Sequence, residues 1–591
     1  MTLPKLRISL FRQESQDETI EKERYMARLQ TLLLHNGTAM RNKLLKIGLP
    51  MKNMRVSPSA RSRAFRPRRH SIYRSNFFMT YEQRRNGAPP ERLRRIHEAV
   101  AQKAQAQPHR LALVDMQHSL TYGELADAIE TTAQRLQAMG VRGGDRVLLV
   151  AENSVALAVC ILALSRLDAW SATVNARVSA REIDQFLAHS GARLAVYFSA
   201  TSAEARTHGE TRGATAVSWP GVGELLLGPV NEAATVEPVE EDPARQVAAL
   251  VYTSGTTGAP KAVMLSHANL LFIGANNCRM RELVPEDVIY GALPLSHVYG
   301  LSSLLMAALI SGAALHLVAR FDPKRLAHAL AQERISVLHG VPAMYAKLLE
   351  VDGDELVAPR LRVAQSGGAP LTLPLKQAFE RRFGLTLHNG YGMTEASPSI
   401  CQTRLNEPRA DCSVGLPIPG IEVRLDSVDG QGVGELCVRG PNVMLGYYRA
   451  PEQSAAAVSV DGWLRTGDLA RFGPDGAVFI VGRGKELIIR SGFNVYPIEI
   501  EQVLNAFPGV VQSAVVGRTV DGNEEVIAFV ETVPGAPFDQ DALRAHLRRN
   551  LSPYKLPSQV VVLERLPAAA TGKVLKKELQ RMAAELDERG F

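Results

Sequence analysis

The stretch Thr253-Ser254-Gly255-Thr256-Thr257-Gly258-Ala259-Pro260-Lys261 decides how the rest of this chain is interpreted. An apolar run over residues 247–252 leads into it and predicts a buried strand, and Ser266 is a suitable N-cap for a helix that follows. Glycines allow the backbone to approach a ligand, amides and hydroxyls donate hydrogen bonds, and Lys261 adds a positive charge. The stretch therefore predicts a polyphosphate site, and the alternative is a polar surface loop rich in turn-forming residues.

This stretch is not a Walker loop. A Walker loop has four residues between its first glycine and a Gly-Lys pair, whereas Gly255 and Gly258 lie closer together and Pro260 precedes the lysine. The class of phosphate-binding protein therefore has to be decided by the rest of the chain.

Length and composition indicate a soluble protein of more than one domain. The chain has 591 residues, of which 46% are hydrophobic and 22% are charged. Its five cysteines show no C-x-x-C spacing, which argues against a disulfide framework or a zinc site and favours a reducing compartment. Because the N-terminus also lacks an apolar signal segment, we expect a cytoplasmic protein.

The positive net charge belongs to one end of the chain. Residues 1–78 hold 17 Lys and Arg against 5 Asp and Glu, a charge of +12, so the +8 of the whole chain leaves −4 for residues 79–591. The body therefore gives no electrostatic indication of nucleic-acid binding. We expect residues 1–78 to form a basic, disordered leader, and the alternative is an arm that binds nucleic acid or anionic lipid.

Two apolar stretches are candidates for membrane spans, and neither qualifies. Residues 155–164 are about half the length that a span requires. Residues 301–319 are interrupted by polar residues and Gly312, which predicts a buried helix, a turn and a buried strand. We therefore expect no transmembrane segment.

The pattern along the chain predicts an α/β fold. Helical and strand-like segments alternate from about residue 90, which is typical of parallel sheets covered by helices. The less patterned residues 202–245 are expected to run over the surface. Strand-like segments at 510–516, 526–531 and 559–564 surround a helix at 541–550 and predict a small α+β domain.

Further motifs follow the opening stretch in a fixed order. They are PLSHVYG at 294–300, SGGAP at 366–370, HNGYGMTE at 388–395, WLRTGD at 463–468, GRGKE at 482–486 and PAAATGK at 567–573. With these motifs in this order, residues 90–591 resemble the adenylate-forming (AMP-binding) superfamily, which includes acyl-CoA synthetases, 4-coumarate–CoA ligases, luciferases and peptide-synthetase adenylation domains.

The resemblance implies two domains and a two-step reaction. It implies a large N-terminal domain of αβ subdomains with parallel-rich sheets over residues 79–484, and a small mobile α+β lid over 485–591. In such enzymes a carboxylate attacks the α-phosphate of MgATP to give acyl-AMP and pyrophosphate, and a thiol then displaces AMP. The implied cofactors are ATP, Mg²⁺ and coenzyme A.

The resemblance also assigns nucleotide-binding roles to individual residues. It implies that the opening loop cradles the β- and γ-phosphates, that Thr394 binds the α-phosphate, and that Glu395 helps to hold Mg²⁺. Asp468, assisted by Arg483, would accept the ribose hydroxyls. Other residues would form the adenine and nucleotide pocket: Gly367, Gly368, Ala369, Asn389, Gly390, Tyr391, Gly392 and Met393.

Three further roles in the catalytic cycle follow from the resemblance. Lys573 would be the catalytic lysine of adenylation, because its charge would bridge the carboxylate and the α-phosphate. Lys485 stands at the hinge between the domains, and Gly492 would border the pantetheine tunnel. His297 would act at the gate of the acid pocket, although a core histidine is the alternative.

The identity of the acid is less clearly indicated. The resemblance implies an acyl pocket whose lining residues are mostly apolar and small, and small residues leave room for an alkyl chain or an aryl ring; they are His297, Val298, Tyr299, Ser303, Gly390, Gly392 and Pro398. A dicarboxylate would need a cation near Tyr391, where Gly390 stands instead. We therefore expect a fatty-acid–CoA ligase of the medium- or long-chain class that acts as a monomer or homodimer. The alternatives are an arylacid–CoA ligase, because Tyr299 and Ser303 could bind a ring hydroxyl, and an enzyme that loads a separate carrier protein.

Overall fold

The computed structural model describes residues 73–74, 93–253, 260–351, 356–490, 493–520, 523–533, 535, 538–568 and 574–586. Residues 69–591 form one compact unit. Most of the predicted leader lies outside the described residues, as do these predicted site residues: Ser254, Gly255, Thr256, Thr257, Gly258, Gly492 and Lys573.

The fold is α/β, as predicted, and two large sheets carry most of it. Sheet I has eight strands, parallel at its centre and antiparallel at its edges. In spatial order they are Gly446–Tyr447, Lys261–Ser266, Val247–Thr253, Trp170–Asn175, Arg146–Ala151, Leu194–Tyr197, Gly223–Leu227 and Thr215–Trp219. Sheet I therefore holds both ends of the predicted phosphate loop.

Sheet II has nine strands and a parallel centre of six. In spatial order they are Leu416–Pro417, Ser399–Gln402, Leu387–Gly392, Val363–Ser366, Val337–Gly340, Val288–Gly291, Ala314–Leu317, Leu111–Val114 and Ser119–Thr121. The SGGAP and HNGYGMTE motifs follow or end neighbouring parallel strands. The carboxyl ends of such strands are where ligands of open α/β sheets bind.

Sheet III is antiparallel and leads toward the C-terminal domain. Its strands, in spatial order, are Tyr73–Arg74, Glu422–Asp426, Gly434–Arg439, Leu464–Phe472 and Val478–Arg483. Tyr73 pairs with Val423 and Arg74 with Glu422, so two residues of the predicted leader form an edge strand of this sheet.

Helices cover the sheets, and their start signals are local. Thr121, Ser179 and Ser266 each begin a helix with a capping box, so the Ser266 prediction is confirmed. The helices are Glu98–Ala106, Tyr122–Ala138, Val155–Arg166, Ala180–Ser190, Ala203–Glu210, His267–Met280, Ala307–Ser311, Pro323–Gln332, Pro342–Leu349, Leu373–Phe383 and Pro451–Ala457, with a π-helix at Tyr299–Met306 and 3₁₀ turns at Thr394–Ala396 and Gly484–Glu486.

The buried helix Val155–Arg166 shows how the core is built. Every side chain from Val155 to Ser165 is buried, and the helix shares one apolar core with residues of sheets I and II. A helix that is apolar on all sides is stable only when it is surrounded by other elements. No helix in the part of the chain that the structure describes is both long and apolar enough to cross a membrane.

The last segment folds as a small α+β domain, as predicted. A three-stranded sheet of Val510–Val520, Asn523–Thr532 and Gln559–Leu563 lies beside the hairpin Ile488–Arg490 and Phe493–Val495. One face of the sheet packs against Pro497–Asn505 and Gln540–Asn550, and the other packs against Lys576–Glu585. A 3₁₀ turn spans Pro553–Lys555.

Two local predictions need correction. Residues 202–245 are not wholly irregular, because they contain the helix Ala203–Glu210 and a hairpin at the edge of sheet I. The phosphate loop is followed by the strand Lys261–Ser266, and only then by the helix. Met264 is only half-buried, but residues 262–265 are all apolar, so the sequence of this strand shows no alternation of apolar and polar residues.

Candidate active site

The phosphate loop connects two strands whose ends are paired. Thr253 is the last residue of one strand of sheet I, and Lys261, the first residue of the next, lies directly opposite it. Residues 254–259 therefore connect two fixed points of an antiparallel hairpin. The ammonium Nζ of Lys261 lies 4.9 Å from the centre of the Tyr447 ring.

Thr394 and Glu395 lie just beyond the end of a sheet II strand. They form a 3₁₀ turn after Leu387–Gly392, and Thr394 is buried. The Tyr447 hydroxyl donates to Glu395 Oε1 at 2.8 Å, and the Met444 amide donates to the Glu395 carbonyl at 2.9 Å. Tyr447 thus contacts both Lys261 and Glu395.

The donor set at Glu395 fits Mg²⁺ better than a metal held by protein ligands alone. Among the described residues, no cluster of three or more His, Cys, Asp and Glu could hold a metal ion. Mg²⁺ is usually bound by one or two carboxylates, substrate phosphates and water. A single carboxylate beside a phosphate loop matches that requirement.

Tyr391, Asp468 and Arg483 form a second group. The Tyr391 hydroxyl donates to Asp468 Oδ2, and Arg483 Nε lies 3.2 Å from Asp468 Oδ1. Burial, followed by the Asp468 charge, raises the pKa of Tyr391 well above its ordinary value, so its hydroxyl remains a donor. Asp468 and Arg483 face each other on paired strands of sheet III, which fixes the carboxylate beside the guanidinium.

The remaining residues of the predicted nucleotide pocket lie on the same edge of sheet II. Asn389 is buried, and its amide donates to the carbonyls of Cys412 at 3.1 Å and Ser413 at 3.3 Å, so it anchors that loop. Gly368 and Ala369 are exposed beside buried Gly367. Glycine is required at Gly392, because a Cβ there would lie 1.9 Å from the Pro398 carbonyl oxygen, which accepts from the Met393 amide.

Tyr299, a predicted acid-pocket residue, lies beside the predicted nucleotide pocket. A Cβ at Gly367 would lie 3.2 Å from the Tyr299 hydroxyl, so the ring lies against that glycine. Val298 is fully buried, while His297 is exposed and its Nδ1 accepts from the Tyr299 amide at 3.3 Å. The Tyr299 hydroxyl is buried without a hydrogen-bond partner among the described residues.

A polar cluster that the sequence did not predict underlies this region. We call it the polar floor, and its members are Arg281, His339, Gln365, His388 and Gln402. His339, Gln365 and His388 lie in register on three adjacent parallel strands, which places their side chains on one face of sheet II. Arg281 is fully buried, and it donates to Gln365 Oε1, to Gln402 Oε1 at 3.1 Å and to the Thr403 carbonyl at 2.9 Å.

The polar floor reaches the predicted acid pocket at Gly390. A Cβ at Gly390 would lie 2.8 Å from Gln365 Nε2. Since Arg281 donates to the amide oxygen of Gln365, the amide nitrogen has to face Gly390. The cation Arg281 lies behind this amide, and burial lowers its pKa to about 9.

The predicted hinge residue lies in a short turn whose last residue, Glu486, forms an ion pair with Lys576 of the C-terminal domain. Lys485 lies in the 3₁₀ turn Gly484–Glu486, between sheet III and the C-terminal domain. Lys576 Nζ lies 2.8 Å from both Glu486 Oε2 and Glu501 Oε1. Glu486 is thus tied to the C-terminal domain, which leaves Lys485 at the boundary where a rotation could occur.

No local signal in the sequence marked Tyr447, Arg281 or Gln365. Arg281 is 84 residues from Gln365, and Tyr447 is 52 residues from Glu395. Tyr447 lies in a Gly-Tyr-Tyr run that fits an ordinary strand, and an arginine after a helix is usually solvated. Their partners become visible only when sheets I and II are assembled.

Comparison with known proteins gives concordant results. Residues 100–448 match the model of the AMP-binding enzyme family, and residues 499–573 match the AMP-binding enzyme C-terminal domain. The chain is 35% identical to a feruloyl-CoA synthase of Amycolatopsis sp (81% of this chain, 97% of the relative) and 32% identical to 4-coumarate–CoA ligase 5 of Oryza sativa subsp. japonica (83% and 94%).

A solved structure agrees with these matches. ATP-bound MatB from Rhodopseudomonas palustris superimposes with a TM-score of 0.73 at 30% identity, covering 83% of this chain and 99% of that protein. Its fold, the two family matches and the ordered motifs all lead to one conclusion. The chain belongs to the AMP-binding enzyme family, among the acid–CoA ligases.

Proposed function

We propose that this protein is an ATP-dependent arylacid–CoA ligase that acts on ring-hydroxylated aryl acids through an aryl-adenylate. The fatty acid expected from the sequence is not supported, because the relatives named above form feruloyl-CoA or ligate 4-coumarate. The arylacid alternative takes its place. Carrier-protein loading has no comparable support.

One observation carries the choice of acid, and it is the Gln365 amide beside Gly390. Gln365 is 2% exposed, its amide oxygen accepts from Arg281, and its amide nitrogen lies toward Gly390. An alkyl chain placed there would leave the amide unsatisfied, which costs about 1–3 kcal/mol. A ring oxygen would accept from it, so the polar floor favours an oxygenated aromatic acid.

The two-step chemistry assigns roles to the chain's own groups. Lys261, together with the loop before it, would neutralise the β- and γ-phosphates, and Glu395 would hold Mg²⁺, which screens the phosphate charge. Asp468 would accept the ribose hydroxyls, Tyr391 would stack on adenine, and Thr394 would bind the α-phosphate. Lys573 would bridge the two reacting anions, His297 would guard the acid entrance, and Gly492 would border the path of coenzyme A.

A panel of acids assayed by pyrophosphate release tests this proposal. We expect kcat/KM for 4-coumarate to exceed that for cinnamate, which lacks the ring oxygen, and to exceed that for octanoate and malonate as well. Gln365→Met should lower the 4-coumarate to cinnamate ratio roughly tenfold, the scale of one buried hydrogen bond. Gln134→Met, on the exposed face of the helix Tyr122–Ala138, is the matched control. Faster turnover of octanoate than of every aryl acid would contradict the proposal.

A further inference from the structure

Tyr447 contacts two groups of opposite charge at once. Its ring face lies 4.9 Å from Lys261 Nζ, and its hydroxyl donates to Glu395 Oε1 at 2.8 Å. Among the described residues no ion pair joins Lys261 to Glu395, and no other side chain donates to the Glu395 carboxylate. One tyrosine thus lies between the predicted phosphate-binding cation and the predicted metal-binding anion.

The position of Tyr447 is fixed by its own backbone. It lies on the two-residue strand Gly446–Tyr447, and it pairs with Val263 two residues beyond Lys261, which places both side chains on one face of sheet I. Its amide also donates to Ser454 Oγ at 2.8 Å, in the middle of the helix Pro451–Ala457. The backbone of Tyr447 is therefore held by both a strand and a helix.

Without this ring, the two charges would attract each other directly. A lysine and a carboxylate that meet in a partly buried site gain more from pairing than they would in water. Such a pair would occupy the cation needed for phosphate and the anion needed for metal. The π-face of Tyr447 holds the ammonium by a cation–π contact, and its hydroxyl fixes the carboxylate.

We propose that Tyr447 is a positioning residue that keeps Lys261 and Glu395 apart and orients Glu395 for the metal of MgATP. Partners that hold a metal-binding group in place change metal affinity or activity by about 10- to 100-fold when they are removed. The two groups that Tyr447 contacts, Lys261 and Glu395, are assigned to phosphate and metal rather than to the acid or coenzyme A. Replacing Tyr447 should therefore change the binding of MgATP and leave the binding of the acid unchanged. The inference rests on one part of the proposed function, which is that the enzyme uses MgATP.

The test is the Mg²⁺ dependence of ATP binding without acid, measured by calorimetry on the full chain. Tyr447→Phe keeps the ring and removes the hydroxyl, so the Mg²⁺ concentration for half-maximal ATP binding should rise roughly tenfold. Tyr447→Leu also removes the ring, so ATP binding should weaken further and excess Mg²⁺ should restore only part of it. KM for the acid should stay unchanged in both variants.

The neighbouring tyrosine provides the matched control. Tyr448 is buried, and its hydroxyl donates to Glu237 Oε1 at 2.6 Å, away from Lys261 and Glu395. Tyr448→Phe should leave the Mg²⁺ dependence unchanged. An unchanged Mg²⁺ dependence in Tyr447→Phe, or an equal change in Tyr448→Phe, would overturn the inference.

A third variant keeps the inference testable if replacing Tyr447 unfolds the chain. Lys261→Met removes the cation and leaves Tyr447 to hold Glu395, so ATP binding should weaken while its Mg²⁺ midpoint stays within about twofold, well below the change of an altered metal site. A Mg²⁺ midpoint that shifts by more than about twofold in Lys261→Met would overturn the inference. Failure of the unmodified protein to bind ATP in a Mg²⁺-dependent way would instead contradict the proposed function.

Discussion

At the scale of single residues, Asp468 already has two partners in the protein. Tyr391 donates to one of its oxygens, and Arg483 lies 3.2 Å from the other. Its carboxylate therefore has a fixed direction before any nucleotide arrives. That preorganisation lowers the cost of binding, because the acceptor need not be ordered by the ribose.

Asp468→Asn should raise KM for ATP by about 10- to 100-fold. The amide keeps the shape of the side chain but loses the charge-assisted hydrogen bonds, each of about 1.5–3 kcal/mol. KM for the acid should change little. Steady-state pyrophosphate release at varied ATP measures both constants.

Tyr391→Phe provides the comparison for Asp468→Asn. It removes only the hydroxyl and keeps the ring, so we expect a change in KM for ATP of no more than about threefold, below that of a charge-assisted hydrogen bond. An effect of Tyr391→Phe as large as that of Asp468→Asn would contradict the assignment of Asp468 as the main ribose acceptor.

At the scale of elements, the polar floor is a row across three parallel strands. His339, Gln365 and His388 lie in register, and burial lowers the pKa of both histidines to about 3, with a further contribution from the Arg281 charge. Both histidines are therefore neutral in the folded protein at ordinary pH. His388 Nδ1 lies 3.1 Å from Thr403 Oγ1.

This row predicts that the folded protein loses stability in mild acid. In the unfolded chain each histidine titrates near 6.5, so below that pH the unfolded state binds more protons and stability falls from pH 6.5 toward pH 3. Each histidine contributes about 1.4 kcal/mol per pH unit within that window. His388→Gln should therefore reduce the loss of stability between pH 7 and pH 5.5 by about 1 kcal/mol.

Thermal melts at the two pH values measure this effect. The exposed His109 gives the control, and His109→Gln should leave the pH dependence as it is in the unmodified protein. An identical acid-induced fall in melting temperature for His388→Gln and the unmodified chain would show that His388 does not titrate as argued.

At the scale of the whole molecule, the proposed roles of Lys573 and Gly492 would require different faces of the C-terminal domain in the two half-reactions. Lys573 is assigned to adenylation and Gly492 to thioester formation, so one orientation of the domain cannot serve both. The Lys576 contacts tie Glu486 to Glu501 and to the C-terminal domain. Lys485, just before Glu486, is where we propose the rotation occurs.

Lys573→Ala should therefore abolish pyrophosphate release from ATP and acid, because adenylation loses its bridging cation. The same variant, given synthetic aryl-AMP and coenzyme A, should still form the thioester at a rate close to that of the unmodified protein. Gly492→Leu should show the reverse pattern. If Lys573→Ala lost both half-reactions equally while remaining folded by circular dichroism, the rotating-domain proposal would fail.

The sequence by itself determined the features that depend on neighbours in the chain. The N-cap at Ser266 and the turn at Gly312 were both predicted, because each signal lies within a few residues. The ordered motifs also indicated the family, the two-domain organisation and ATP-dependent chemistry. They led to an expectation of a fatty acid that the comparisons do not support, because the small residues around Gly390 suggest an open apolar pocket.

Only the tertiary structure decided what surrounds those motifs. The Gln365 amide faces Gly390 because Arg281, on a distant segment, occupies its oxygen, and Tyr447 lies between Lys261 and Glu395 because strands from separate parts of the chain pair in sheet I. Local sequence carries no information about such contacts, since each residue alone fits an ordinary strand or helix end. The polar floor, on which the proposed preference for an aromatic acid rests, therefore arises from long-range packing.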